Sequence, residues 1–138
     1  MSEDIGPHQT LHPKHWMAAK GYANGVAATG RMVFTGGIIG WNADQEFETD
    51  DFGAQVAQAL LSIKQILAEA GAEPKHLTRL TWYVTDKQEY LASLRAIGAA
   101  YREHFGRHYP AMALVQVVAL VEDRAKVEIE ATAVIPQE

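Results

Sequence analysis

Glu128 and Glu130 stand one residue apart in the run VEIEATAVI near the end of the chain. Side chains of an extended strand alternate between faces, so both carboxylates share a face with Thr132, while Val127, Ile129, Ala131 and Ala133 take the other. A carboxyl group in a partly apolar cleft keeps its proton to higher pH than in water, and can then give or take one near neutrality. On a wet face the same group is merely solvated. The pattern leaves three placements open: solvated, interfacial, or lining a cleft. Glu128 is the one candidate base the sequence singles out. Tyr22, next to Gly21, is a second side chain to follow, although packing is the commoner use of such a tyrosine.

Other chemistries find little support. Of the six histidines, His8, His12 and His15 have the spacing of one helical face, but Pro7 and Pro13 interrupt any such helix. They read as part of a solvated arm. His104 and His108 straddle Gly106, and no H-E-x-x-H occurs, so no metal site is expected. There is no cysteine, hence no disulfide and no thiol nucleophile. The glycines of TGGIIG lack a phosphate-loop lysine and read as a bend in the chain. Ser62 and Ser93 fall within helical patterns, away from any nucleophile-elbow context. No cofactor motif is present.

Bulk properties narrow the class further. The 138 residues, 48% of them hydrophobic and 21% charged, suit one globular domain rather than a disordered chain. The net charge of −5 and scattered basic residues argue against a nucleic-acid partner, whose phosphates need clustered cations. No apolar run nears the roughly 18 residues that would span a membrane. The polar start MSEDIGPHQTLHPKHW has no leader-like core, so a cytoplasmic location is expected.

The elements that must position these groups follow from periodicity. Residues 1–17 form an N-terminal arm, and 18–138 a single domain. GYANGVAA and RMVFTGG read as two strands around a turn at Thr29-Gly30. Phe52, Val56, Leu60, Ile63 and Leu67 mark a helix from Phe52 to Ala70, capped by Thr49, Asp50 or Asp51 and ended at Gly71. LTRLTWYVTD alternates as a strand. Tyr90, Leu94, Ile97, Tyr101 and Phe105 mark a second helix. Two strands follow, separated at Val121 to Arg124. The order β-β-α-β-α-β-β gives an α+β mixed sheet with both helices on one face.

The strand expected from Met112 to Leu120 is apolar on both sides. Ala113, Val115, Val117 and Ala119 lie on one, and Met112, Leu114, Val118 and Leu120, with Gln116, on the other. One side packs on the helices. The other needs a partner that the chain itself does not supply, which predicts self-association. Gln116 reads as interface or pocket, since a buried amide requires a partner.

The succession KGYANGV, GRMVFTGGI, ILAEAGA, LTRLTWYVTD, YREHF, YPAMALVQV and VEIEATAV resembles the reactive intermediate deaminase family, also called YjgF or RidA-like, over about residues 18–135. The resemblance implies a chorismate-mutase-like fold and a homotrimer with a barrel-like centre. It also implies a small-molecule cleft at each subunit interface, with no cofactor. Its implied activity is hydrolysis of an imine or enamine to a carbonyl compound and ammonia. Glu128 falls on the family glutamate that positions or activates water, and Tyr22 on the tyrosine that closes the site. Gly36 falls on a small polar position and Gly98 on an asparagine. Met112 falls on the arginine that holds the substrate carboxylate.

Met112 has no charge and cannot make that arginine's bidentate contact. Losing one member of a desolvated charge pair costs ~2–5 kcal/mol. Two functions are therefore expected: a deaminase with a more apolar pocket lined by Met112, Leu114 and Trp41, or a non-catalytic ligand-binding or regulatory relative. Arg31, Arg79 and Arg107 are the candidates to replace the arginine across an interface.

Overall fold

The computed structural model describes residues 6–137. Gln9–Leu11 (β1) and Gly25–Ala27 (β2) pair antiparallel as a small ribbon. The main sheet holds Arg31–Phe34 (β3), Ile38–Ile39 (β4), Leu77–Val84 (β5), Ala111–Gln116 (β6) and Val127–Ile135 (β7). Its order is β3-β7-β5-β6, with β4 also on β7. The β5–β6 pair is parallel, while β7 runs antiparallel to β3, β4 and β5. This is the mixed α+β sheet expected from the sequence.

Three helices accompany it: Phe52–Glu69 (α1), Lys87–Ala92 (α2) and Leu94–Phe105 (α3). The Asp51 carboxylate caps α1 by accepting the Ala54 N–H at 2.9 Å, and Gly71 leaves the helix at φ 75°. The apolar stripe of α1 packs with Ile97, Tyr101 and Phe105 of α3 onto Leu80, Trp82 and Val84 of β5 and Val127, Ile129, Ala131 and Ala133 of β7. That defines the covered face. Gln55 is fully buried within α1, with its amide satisfied: it donates to the carbonyls of Thr49 and Arg124 and accepts the Lys126 N–H at 2.9 Å. It ties the loop before α1 and the loop before β7 to the helix.

Four local expectations are corrected. β2 and β3 do not form a hairpin; β2 pairs with β1 and β3 with the longer β7. Gly30 makes this possible, because a Cβ there would stand 2.8 Å from the Ile135 carbonyl carbon. Second, His8 is not solvated: it is buried and its Nε2 donates to the His76 carbonyl at 3.0 Å. Third, the second helix breaks at Ser93 into α2 and α3. Fourth, the strand expected to reach Leu120 ends at Gln116. β5 stops at Val84, whose carbonyl takes a last bond from the Val117 N–H, and beyond it no neighbour remains to pair with. Val118 and Val121 stand fully exposed.

Candidate functional site

A cavity of about 490 Å³ opens on the covered side of the sheet, between α3 and the edge strand β6. Its volume lies in the range of small-molecule sites. Leu94, Ile97, Gly98, Tyr101 and Arg102 supply one wall from a single helical stripe of α3. Met112 and Leu114 supply the facing wall from β6, where they pair with Leu80 and Trp82 of β5 and so share the helix face. Tyr90 from α2, Tyr109 before β6, and Trp82 complete the apolar lining. Tyr101 stacks on Tyr109 with centroids 5.2 Å apart, and its hydroxyl donates to the His108 carbonyl at 2.6 Å. Burial pushes its pKa well above the ordinary tyrosine range, so it stays neutral. Trp82, another wall residue, carries the one buried side-chain polar atom without a hydrogen-bond partner among the described residues, its indole N–H.

Tyr22 is brought over this cavity by the backbone. Ala23 bridges Ala111 in parallel fashion, its N–H donating to the Pro110 carbonyl at 3.0 Å, and this fixes the end of the 20–23 segment beside the start of β6. Gly21, at φ 77°, turns the chain just before it. Lys20, Gly21 and Tyr22 form the rim.

Glu128 lies elsewhere. It pairs with Tyr83 on β5 and Ile39 on β4, on the face the helices leave bare. Its carboxylate rests against Gly37, where an added Cβ would collide with it and stand 2.7 Å from Cδ. Gly36 is exposed and open beside it. Thr35 anchors this bend, its N–H donating to the Ala131 carbonyl and its hydroxyl accepting the Ala131 N–H at 3.0 Å. Glu130 also lies on the bare face and accepts the Tyr83 hydroxyl at 2.9 Å, a bond that raises the Tyr83 pKa. Around these polar groups the bare face exposes Met32 (58%), Phe34 (64%) and Val115 (47%).

Within one protomer, then, Tyr22, Gly98, Met112 and Leu114 meet in one cavity, while Glu128 lies on the other side of the sheet against Gly37, the residue after Gly36. Trp41 joins neither; it packs on Phe47 in the loop before α1, with centroids 5.8 Å apart. Arg79 lies on the bare face at the level of Thr132, and neither Arg31 nor Arg107 lines the cavity. Gln116 finds its partner within the chain, its amide oxygen accepting the Lys87 N–H at 2.7 Å at the start of α2. Among the described residues no three His, Asp or Glu side chains gather as metal ligands, and no helix is long and apolar enough to cross a membrane.

Sequence reasoning missed Tyr90, Trp82, Tyr101, Tyr109, Lys20 and Arg102 as cavity residues. The α3 stripe carried a signal: Leu94, Ile97 and Tyr101 have core spacing, but Gly98 and Arg102 share their face. A glycine and an arginine on an otherwise apolar stripe mark an incomplete core.

Comparison with known proteins identifies the family and the fold. The family described as Endoribonuclease L-PSP matches residues 13–135. TdcF of Escherichia coli, provisionally named a reactive intermediate deaminase, is 33% identical over 116 residues, 82% of this chain and 85% of TdcF. Its structure with bound serine superposes with a TM-score of 0.68, covering 92% of this chain and 98% of that one. The 2-iminobutanoate/2-iminopropanoate deaminase of Capra hircus is 29% identical over 118 residues, 85% of this chain and 82% of that protein. The crystal structure of YyfB from Yersinia pestis, of the conserved Rid family and of unknown function, is 30% identical with a TM-score of 0.83, covering 93% of this chain and 98% of YyfB.

Proposed function

This chain belongs to the endoribonuclease L-PSP (YjgF/Rid) family, and from that membership we propose that it hydrolyses a reactive imine or enamine in clefts shared between copies of itself. The observation that carries the reading is the cavity uniting Tyr22, Gly98, Met112 and Leu114, drawn from three separate segments of the chain. Of these, Tyr22, Gly98 and Met112 fall on substrate-cleft positions that the family resemblance implies.

The missing element is Glu128, and the bare face suggests how it arrives. Its exposed Met32 and Phe34 would be costly to leave in water, at about 25 cal/mol for each Å² of apolar surface. Three copies packed through these faces, in the cytoplasm, would bury them and carry Glu128 and Gly36 of one copy to the β6 edge of the next. Water then adds to the C=N carbon of the substrate imine, with Glu128 taking a proton from the water. The nitrogen gains a proton, and the tetrahedral aminol collapses to a carbonyl compound and ammonia. An enamine first takes a proton on carbon to become the imine. The atoms balance with water alone, so no cofactor is needed.

Met112 favours a second reading, a non-catalytic ligand binder, because it offers no charge to a carboxylate. Ammonia release distinguishes the two. The enzyme reading expects imines generated in situ to be hydrolysed faster than in buffer, with the gain lost in Glu128→Gln. If no imine is processed while ligands still raise the melting temperature, the binder reading stands. Ribonuclease chemistry, suggested by the family's description, has no support from a chain of net charge −5.

A further inference from the structure

Two cations border the cavity, and neither has a partner. Lys20 lies on the rim and Arg102 on the α3 wall, and among the described residues neither makes an ion pair or side-chain hydrogen bond. Among the described residues no carboxylate lines the cavity. In a chain of net charge −5 this is a local inversion of sign beside an apolar, aromatic hollow. Arg102 is solvent-exposed, yet its guanidinium lies back against its own helix. Gly98 stands one turn earlier on the same face, and a Cβ added there would be 3.2 Å from the Arg102 Nη1. The guanidinium therefore folds back along the helix, into the space that the missing side chain leaves, and reaches the cavity wall.

We propose that Arg102 is the anion anchor of this site, and that the ligand is a carboxylate bearing an aromatic or similarly broad apolar group. The charge missing at Met112 is supplied from α3 instead of β6, so the ligand's carboxylate sits against the helix. The space along β6 is left to its ring, between Met112, Leu114 and the cavity tyrosines. Methionine adapts to a ring better than a charged side chain would. A planar guanidinium binds a carboxylate through two parallel hydrogen bonds. Lys20 adds a second charge at the rim without that geometry. The inference rests on the reading of this cavity as the ligand site, and not on the hydrolysis itself.

Calorimetric titration of the full-length protein with 3-phenylpropanoate, its neutral amide 3-phenylpropanamide, and propanoate tests it. The aromatic acid should bind about 10- to 140-fold more tightly than the amide, the range expected for a hydrogen bond to a charged group. It should also bind more tightly than propanoate, and added salt should shrink its advantage over the amide. Arg102→Gln should erase the preference for acid over amide while the amide's own affinity is kept, and Arg102→Lys should restore part of it. Equal binding of acid and amide, a preference that survives Arg102→Gln, or no binding of any probe would each overturn the proposal. Ammonia release is a separate readout. A protein that holds the acid through Arg102 yet releases no ammonia keeps this inference and loses the deaminase reading; one that deaminates while Arg102→Gln leaves the acid preference intact does the reverse.

Discussion

Met112 and Glu128 lie on opposite faces of one sheet. Met112 pairs with Leu80 on the side the helices cover, and Glu128 pairs with Tyr83 on the side they leave bare. The two cannot meet within a protomer without crossing the backbone of β5, so a site using both requires a neighbouring copy. Light scattering should therefore report three times the 15.2 kDa chain. Phe34→Asp, which puts a charge at an exposed aromatic on the bare face, should lower that mass, because a buried unpaired carboxylate costs several kcal/mol. A wild-type protein that stays monomeric at micromolar concentration would remove the basis for a shared cleft.

The Glu128 carboxylate owes its position to Gly37, whose backbone it touches. Glu128→Gln keeps the shape and removes the proton acceptor, so hydrolysis should fall by roughly 10²- to 10⁴-fold with the melting temperature little changed. Gly37→Ala should reduce the rate too, by displacing the carboxylate, and should also destabilise the fold. Rate measurements paired with thermal melts separate the two variants. A Glu128→Gln protein with undiminished turnover would assign the proton transfer to another group.

A single substitution at Met112 tests substrate choice. Met112→Arg puts a charge on β6 where the family resemblance implies an arginine, and with it a carboxylate contact worth ~2–5 kcal/mol when desolvated. For 2-iminopropanoate, kcat/KM should rise about 30-fold or more, while turnover of an aromatic imino acid should drop as the guanidinium takes the ring's space. Competition between the two substrates gives the ratio directly. An unchanged ratio would mean that Met112 does not face the substrate.

Much of this was legible in the chain. The alternation of Val127 to Ala133 set Glu128 opposite Val127 and Ile129, which proved to face the helices, and the Phe52 to Leu67 spacing gave α1 almost to the residue, with its cap among Thr49, Asp50 and Asp51. What escaped depended on distant partners. β1 is only three residues long and exposed, and exists because β2 lies beside it. Val118 to Leu120 are strand-like in composition, yet β5 ends too early to pair with them. The role of Arg102 was hidden for a similar reason. In sequence it is one of two arginines in the second helical run, with Arg95, and only its setting over Gly98, facing β6, sets it apart.

His76 gives the fold a pH dependence. Its pKa is held below the ordinary 6.5, chiefly by burial, then by Lys75 with smaller contributions from His8 and His108, and against the opposing pull of Glu73. The geometry agrees: its Nδ1 accepts the Glu73 N–H at 2.9 Å, which a proton there would forbid. The unfolded chain thus takes up the proton first as pH falls, so this contribution is complete above about 6.5 and is lost progressively below it. The melting temperature should be lower at pH 5 than at pH 7. His76→Asn, whose Oδ1 replaces the acceptor, should narrow that gap. A gap of unchanged width would assign the acid sensitivity to the carboxylates.

Gly98 joins stability and recognition in one residue. A glycine inside a helix costs about 0.8–1 kcal/mol relative to alanine, so Gly98→Ala should stabilise the protein, raising its melting temperature by roughly 3–5 °C for a chain of this size. The new methyl would stand 3.2 Å from the Arg102 Nη1, tighter than ordinary contact. The guanidinium must then shift away from the fold of the helix, and affinity for 3-phenylpropanoate should fall while that for 3-phenylpropanamide holds. The two effects have opposite signs, so a general loss of structure cannot imitate them. A variant that melts higher and binds the acid as before would show that the guanidinium does not depend on the space Gly98 leaves.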